Sequence, residues 1–364
     1  MSLHGSNGFS MTNLEAHNQS TQHERFTEWL HEVQSRAKLG PQLESVDQIT
    51  PALEIEGNFT IIVDQEGNGD FVTVQAAIDA VATLNSQRVT IHIRAGIYLE
   101  KVVIPKAKPY ITLQGEGSMD TVLEWNDTAS NVDLQGNLLS TYHSATVAVE
   151  SIGFVARNLT FKNSAPPPPN GAFGRQAAAI RISGDMAAFH GCRFLGAQDT
   201  LYDHKGRHYF QDCYIEGSID FIFGDGLSQY RACELHAISH QGAFTAQKRK
   251  TPSDNSGFSF VDCKVTGSGQ LYLGRAWGLF ARVVFAFTYM EDVVDPRGWS
   301  NWDDAARDMS IFFGQYNCFG PGSAQARRVS WAHELSFVEA QPFLSLAFVD
   351  GEQWVDRHFL HLEP

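Results

Sequence analysis

The sequence predicts an all-β chain wound into a single-stranded right-handed parallel β-helix, with a short helical extension at its N-terminus. Three observations carry this. From Phe59 onward, short apolar or alternating runs follow one another, split by Gly, Asn, Asp and Pro, which is the pattern of strands and turns. One motif (aromatic, two residues, Cys, one residue, apolar) recurs at Phe189-Cys192-Phe194, Phe210-Cys213-Ile215, Tyr230-Cys233-Leu235 and Phe260-Cys263-Val265. Its cysteines are spaced by 21, 20 and 30 residues. A unit of about 20 residues cannot bury its own apolar face, but stacking such units coil upon coil does. A β-sandwich would need these matches to coincide by accident.

Residues 1–55 read as the extension and 56–364 as the β-helix domain. In the extension Phe26, Trp29, Leu30 and Val33 recur at helical spacing in a polar background, predicting one amphipathic helix packed on the body. Strands are expected over Phe59–Val63, Val89–Ile93, Lys101–Ile104, Tyr110–Leu113 and Thr146–Val149. Gln75–Leu84 is the one helix expected among them, with Val74, Ile78, Val81 and Ala82 on one face. The repeated aromatics and cysteines should form inward ladders. The cysteines then read as small buried hydrophobes rather than redox centres, with a disulfide between neighbouring rungs as the alternative. The 30-residue spacing implies an inserted loop.

Composition narrows the function. The 364 residues carry 27 Lys+Arg against 41 Asp+Glu, a net charge of −14. This excludes a general nucleic-acid binder, which needs a basic stripe, and argues against attachment to anionic lipid. No run of 18 apolar residues predicts a spanning helix. Met1–Ser20 is polar, so no secretory leader is visible. Glycosylation sequons begin at Asn18, Asn58, Asn126 and Asn158, a pattern that is common by chance.

The repeat also locates chemistry. Asp199 lies seven residues after Cys192, and Asp220 seven after Cys213. Equal offsets in consecutive rungs stack the two carboxylates about 4.8 Å apart, the ordinary strand spacing. Two acids that close do not both ionise cheaply, so one pKa should rise. The pair then offers one acid and one nucleophile or base; the alternative is a solvated Asp ladder on a loop edge. The surroundings favour chemistry. Arg275, in Leu273-Gly-Arg275-Ala-Trp277, can hold a carboxylate ionised through paired hydrogen bonds. Gln176 and Gln198 can donate to a developing oxyanion. Trp277, Phe221 and Phe223 offer flat faces for a sugar ring.

At these residues the chain resembles the pectin methylesterases (pectinesterases) of plant type, carbohydrate esterases with a right-handed β-helix. The resemblance covers roughly Phe59 to Val355. It rests on Gly67-Asn-Gly-Asp-Phe71, Ala95-Gly-Ile-Tyr-Leu-Glu100, Gly115-Glu-Gly117, Asn158-Leu-Thr-Phe-Lys-Asn163, Gln198-Asp-Thr-Leu-Tyr202 and Asp220-Phe-Ile-Phe-Gly224. Leu273-Gly-Arg275, Pro296-Arg-Gly-Trp299 and Asn317-Cys-Phe-Gly-Pro-Gly322 extend it. It implies hydrolysis of the methyl esters of galacturonate units in pectin, releasing methanol and pectate. Asp220 would be the nucleophile and Asp199 the general acid, then base. Gln176 and Gln198 would form the oxyanion site and Arg275 would hold Asp220. Trp277, Phe221, Phe223 and Tyr202 would meet the sugar. The resemblance further implies no metal or cofactor, a secreted monomeric glycoprotein acting in cell wall modification and pectin catabolism, and a proteinaceous inhibitor as partner. The helical pro-domain of many plant members is too long for residues 1–55, so it is expected to be absent. Two positions depart from the family: Ala276 stands where Pro follows the Arg, and Lys248, in Thr245-Ala-Gln-Lys-Arg-Lys250, where Gly is usual.

Other readings fall away. Gly226-Leu-Ser228-Gln-Tyr230 lacks the last Gly of a serine-esterase elbow. His333-Glu-Leu-Ser-Phe337 lacks the second His of a zinc protease. His204/His208 and His236/His240 read as solvated loop histidines rather than metal ligands. Pro166–Pro169 reads as a stiff extended loop, either a cleft wall or a connector. Lys248-Arg-Lys250 reads as a solvated charge run or as a contact for substrate carboxylates. A pectin lyase would bring a calcium cluster or a basic residue for proton abstraction, and a polygalacturonase a denser carboxylate set. A non-catalytic carbohydrate-binding β-helix would not retain both aspartates and Arg275.

Overall fold

The computed structural model describes residues 59–355, apart from 170, 171 and 240. The helix expected around Phe26–Val33 lies outside these residues.

Every strand pairing in the three main sheets is parallel, and each of eight coils gives one strand to each sheet, with three further strands at the ends of the largest sheet. One sheet has 11 strands and the other two have 8 each. The coil Ala187–His190, Arg193–Leu195, Leu201–Asp203 shows the pattern. The next coil repeats it with Arg207–Gln211, Tyr214–Gly217 and Ile219–Gly224. This is the parallel β-helix the repeat predicted. Strands form over Phe59–Val63 and Val89–Ile93 as expected. Val102–Ile104, Ile111–Gly115 and Val147–Val149 match the other three to within two residues.

The repeated motif is the interior. Phe189, Phe210, Tyr230, Phe260 and Phe285 are register partners in successive strands. Their rings stack at 4.8, 4.4, 4.5 and 4.5 Å between centroids. Offset stacking of this kind adds about 0.5–1.5 kcal/mol per pair beyond burial. Cys192, Cys213, Cys233 and Cys263 are buried free thiols in a second ladder. Each Sγ hydrogen-bonds the carbonyl two residues earlier, at 3.3–3.4 Å. Thr288 takes the next rung and repeats that bond, Oγ1 to the Ala286 carbonyl at 3.0 Å, before Cys318 resumes it. A hydroxyl replaces the thiol there, which is why the motif is invisible in the sequence at that rung. The residue before each ladder position (Gly191, Asp212, Ala232, Asp262, Phe287, Asn317) is left-handed, so one tight corner repeats along the molecule.

Two details differ from expectation. The helix spans Val74–Ala80 only. The Glu100 carboxylate accepts from the Val74 and Gln75 amides, at 2.7 and 2.9 Å, and fixes its start. Val74, Ala77 and Ile78 are buried beneath the first strands, whereas Ala82 is exposed, since the helix has ended before it. The inserted loop behind the 30-residue spacing is 248–256, between strands Ala243–Gln247 and Gly257–Val261.

Candidate active site

The sheet that carries Leu201–Asp203 and Ile219–Gly224 displays one column of outward side chains. Arg181, Tyr202, Phe223, Ala246 and Arg275 are successive register partners along it. Beside this column lie the two aspartates. Gln198 pairs with Ile219, and the Asp199 amide donates to the Ile219 carbonyl at 3.1 Å. Asp199 and Asp220 therefore occupy equivalent places on adjacent rungs. Both are left-handed, with φ of 62° and 50°, and the register shifts between Ile219 and Ile222. Such backbone costs roughly 1–3 kcal/mol and is typical of functional positions.

Both carboxyls are nearly buried, Asp199 at 9% and Asp220 at 8% exposed. Their surroundings set them apart. Arg275 donates to Asp220 from Nε to Oδ1 at 2.8 Å and from Nη2 to Oδ2. Burial raises the Asp220 pKa, and Arg275 works against that rise. Among the described residues no guanidinium pairs with Asp199 in this way. Burial, reinforced by the Asp220 charge, holds it well above the usual carboxylate range. The pair thus presents one carboxyl whose pKa is strongly raised beside one whose rise a guanidinium opposes, an asymmetry that suits proton donation next to nucleophilic attack.

Gln176 and Gln198 flank the pair and are half-buried. Their backbones are tied: the Gln176 carbonyl accepts from Ala129 and the Gln198 carbonyl from Ala177, at 2.8 and 3.1 Å. Their side-chain amides donate to no described residue, so both remain available to a ligand oxygen. Tyr202 and Phe223 stack at 4.3 Å, and Phe223 meets Trp277 at 6.1 Å. With Tyr142 these rings floor the cleft. Phe221 is a correction. It is wholly buried in the main core, edge-on to Phe244 at 5.4 Å, because the local irregularity turns it inward where no sugar can reach it.

Two residues, Trp302 and Tyr142, escaped the sequence reading. Arg275 lies 4.2 Å from the centroid of the Trp302 ring, so its guanidinium is fixed on one edge by a carboxylate and on one face by an indole. Tyr142 covers Arg181 at 3.6 Å. Neither Tyr142 nor Trp302 belongs to a repeat, so no sequence signal marked them. His208 is no solvated loop histidine. It is fully buried, with Nδ1 at 2.5 Å from Asp203 and Nε2 at 2.9 Å from the Gly184 carbonyl. His204 is half-buried and packs on Tyr142 and Tyr202, while His240 lies outside the described residues.

The Pectinesterase family model matches residues 60–352. A probable pectinesterase 8 of Arabidopsis thaliana is 47% identical over 84% of this chain and 78% of its own length. Pectinesterase 31 of the same plant is 46% identical over 82% of this chain and 94% of its own. Among solved structures, pectin methylesterase from carrot superposes with a TM-score of 0.75 at 32% identity, covering 88% of this chain and 99% of the carrot chain. The Aspergillus niger enzyme gives 0.71 at 28% identity, over 85% and 99%.

Proposed function

The chain belongs to the pectinesterase family, and from that premise we propose how its residues carry out the reaction. The reaction is demethylesterification of pectin: a galacturonate methyl ester is hydrolysed to a free carboxylate and methanol. In our reading Asp220 attacks the ester carbonyl carbon. The Gln176 and Gln198 amides hydrogen-bond the oxyanion that forms. The bond to the methoxy oxygen then breaks as Asp199 gives that oxygen its proton, and methanol leaves. Asp199, now a carboxylate, takes a proton from water, which attacks the acyl carbon. The bond to Asp220 breaks, and the galacturonate is released.

One observation carries this reading: of two stacked, buried carboxyls, only Asp220 is held by a guanidinium. Tyr202, Phe223 and Trp277 provide the sugar platform. The protein acts as a monomer, is secreted to the cell wall and is open to a proteinaceous inhibitor. Asn126 and Asn158 are both exposed, so both sequons are open to glycan.

Hydroxylamine tests the covalent step. It competes with water for an acyl-enzyme, so galacturonyl hydroxamate should accumulate with its concentration while methanol release holds steady. Methanol release without any hydroxamate would make Asp220 a general base for water instead.

A further inference from the structure

The basic run Lys248-Arg249-Lys250 divides into three different roles. Arg249 is buried, and its guanidinium is spent on the Asp254 and Pro252 carbonyls. Lys250 is exposed in the inserted loop. Lys248 is neither. Its Nζ sits 3.9 Å from the centroid of the Trp277 ring. The backbone around it is tied on both sides: the Lys248 amide donates to Gly224, Gly278 to Gln247 and Phe280 to Arg249, at 2.7, 3.0 and 3.1 Å. The ammonium is therefore held at the cleft floor by fixed backbone and an aromatic face.

Among the described residues no carboxylate forms an ion pair with Lys248. Asp225, the acid acting on it, accepts the Ser256 hydroxyl at 2.7 Å. The other cation of the platform, Arg181, pairs with Glu150 at 2.8 Å. Burial and three nearby cations push His204 down to about 4, so it is neutral at neutral pH. Lys248 is thus the platform cation without an ion-pair partner among the described residues, on a surface that faces a polymer whose product is an anion.

We propose that Lys248 is a specificity-determining residue: its ammonium pairs with the free carboxylate of an already de-esterified galacturonate unit seated at Trp277, while an esterified unit lies at Asp199 and Asp220. This rests on the site reading given under Proposed function. The local contact prevails over the net charge of −14 because distant charges are screened within about 10 Å at 0.1 M salt, whereas this contact is short and partly desolvated.

The test uses fully de-esterified oligogalacturonate as a competitive inhibitor of methanol release from fully esterified pectin. Absence of methanol release by the unmodified protein would refute the underlying function, separately from this proposal. Lys248→Met keeps the stem on Trp277 and removes the charge. It should weaken inhibition about tenfold, equivalent to about 1.4 kcal/mol, while KM for fully esterified pectin shifts less than about threefold. Lys248→Arg should restore inhibition to within about threefold of the unmodified protein. Inhibition equally strong with methionine would overturn the proposal. So would an equal loss of affinity for inhibitor and esterified substrate, since that marks packing rather than charge recognition. Thermal unfolding confirms that both variants are folded.

Discussion

Arg275 grips Asp220 from two strands away. The strand Ala243–Gln247 runs between them, and the register partner that Arg275 must pass is Ala246. Ala246 is buried and lies between Phe223 and Arg275 in the outward column. A methyl group leaves the guanidinium room to reach down; a larger side chain there would fill its path.

Ala246→Leu should therefore act on the nucleophile without touching it. We expect kcat to fall by about tenfold or more, the order of 1.4 kcal/mol. The acid limb of the pH–rate profile should move to higher pH, because Asp220 loses part of the interaction that opposes its burial-driven rise. An unchanged acid limb would separate Ala246 from the Arg275–Asp220 geometry.

Asp220→Asn should abolish turnover, by more than about 10³-fold, because an amide cannot form the acyl-enzyme. Far-UV circular dichroism should be unchanged, since the coil is held by its ladders. Near-normal methanol release from the folded variant would remove Asp220 from the nucleophile role.

Arg275→Lys keeps the charge and loses the planar fork that binds both Asp220 oxygens and lies on Trp302. Turnover should drop by about 10²-fold with a small change in KM, because lysine cannot reproduce the bidentate geometry. A loss under about twofold, roughly 0.4 kcal/mol, would mean that Arg275 does not orient the nucleophile.

Asp199→Asn joins activity to stability. The folded-state pKa of Asp199 lies well above its unfolded value of about 3.9. The native state therefore binds the proton more tightly, and the stability from this group is full below the unfolded pKa. It is lost as pH rises towards the folded pKa. The asparagine variant should be inactive, and its melting temperature should gain on the parent as pH increases above about 4. Equal slopes of melting temperature against pH would show that Asp199 is not strongly shifted.

The ladder thiols should be silent. Burial pushes Cys213, Cys233 and Cys263 well above their usual pKa, so an alkylating reagent should leave them unmodified until the protein unfolds. Reductant should not change activity. Rapid labelling of the native protein with loss of activity would contradict the ladder.

By itself the sequence determined the coil. An aromatic, a cysteine and an apolar residue at fixed offsets can be buried together only by stacking, so the repeat carried the fold, the rung order and the alignment of Asp199 with Asp220. Those are properties of spacing, and spacing is written in the chain. What crosses between coils was decided by tertiary structure. Arg275 reaches Asp220 over Ala246, Trp302 covers Arg275 from a segment outside the repeat, and Phe221 turns inward at a register shift while Phe223 faces the cleft. Lys248 and Arg249 are neighbours in one charge run, yet one lies on an indole at the cleft floor and the other is spent on backbone carbonyls. Composition treats them alike; the difference arises because the inserted loop folds back on its own carbonyls, and only closure of that loop fixes which side chain is enclosed.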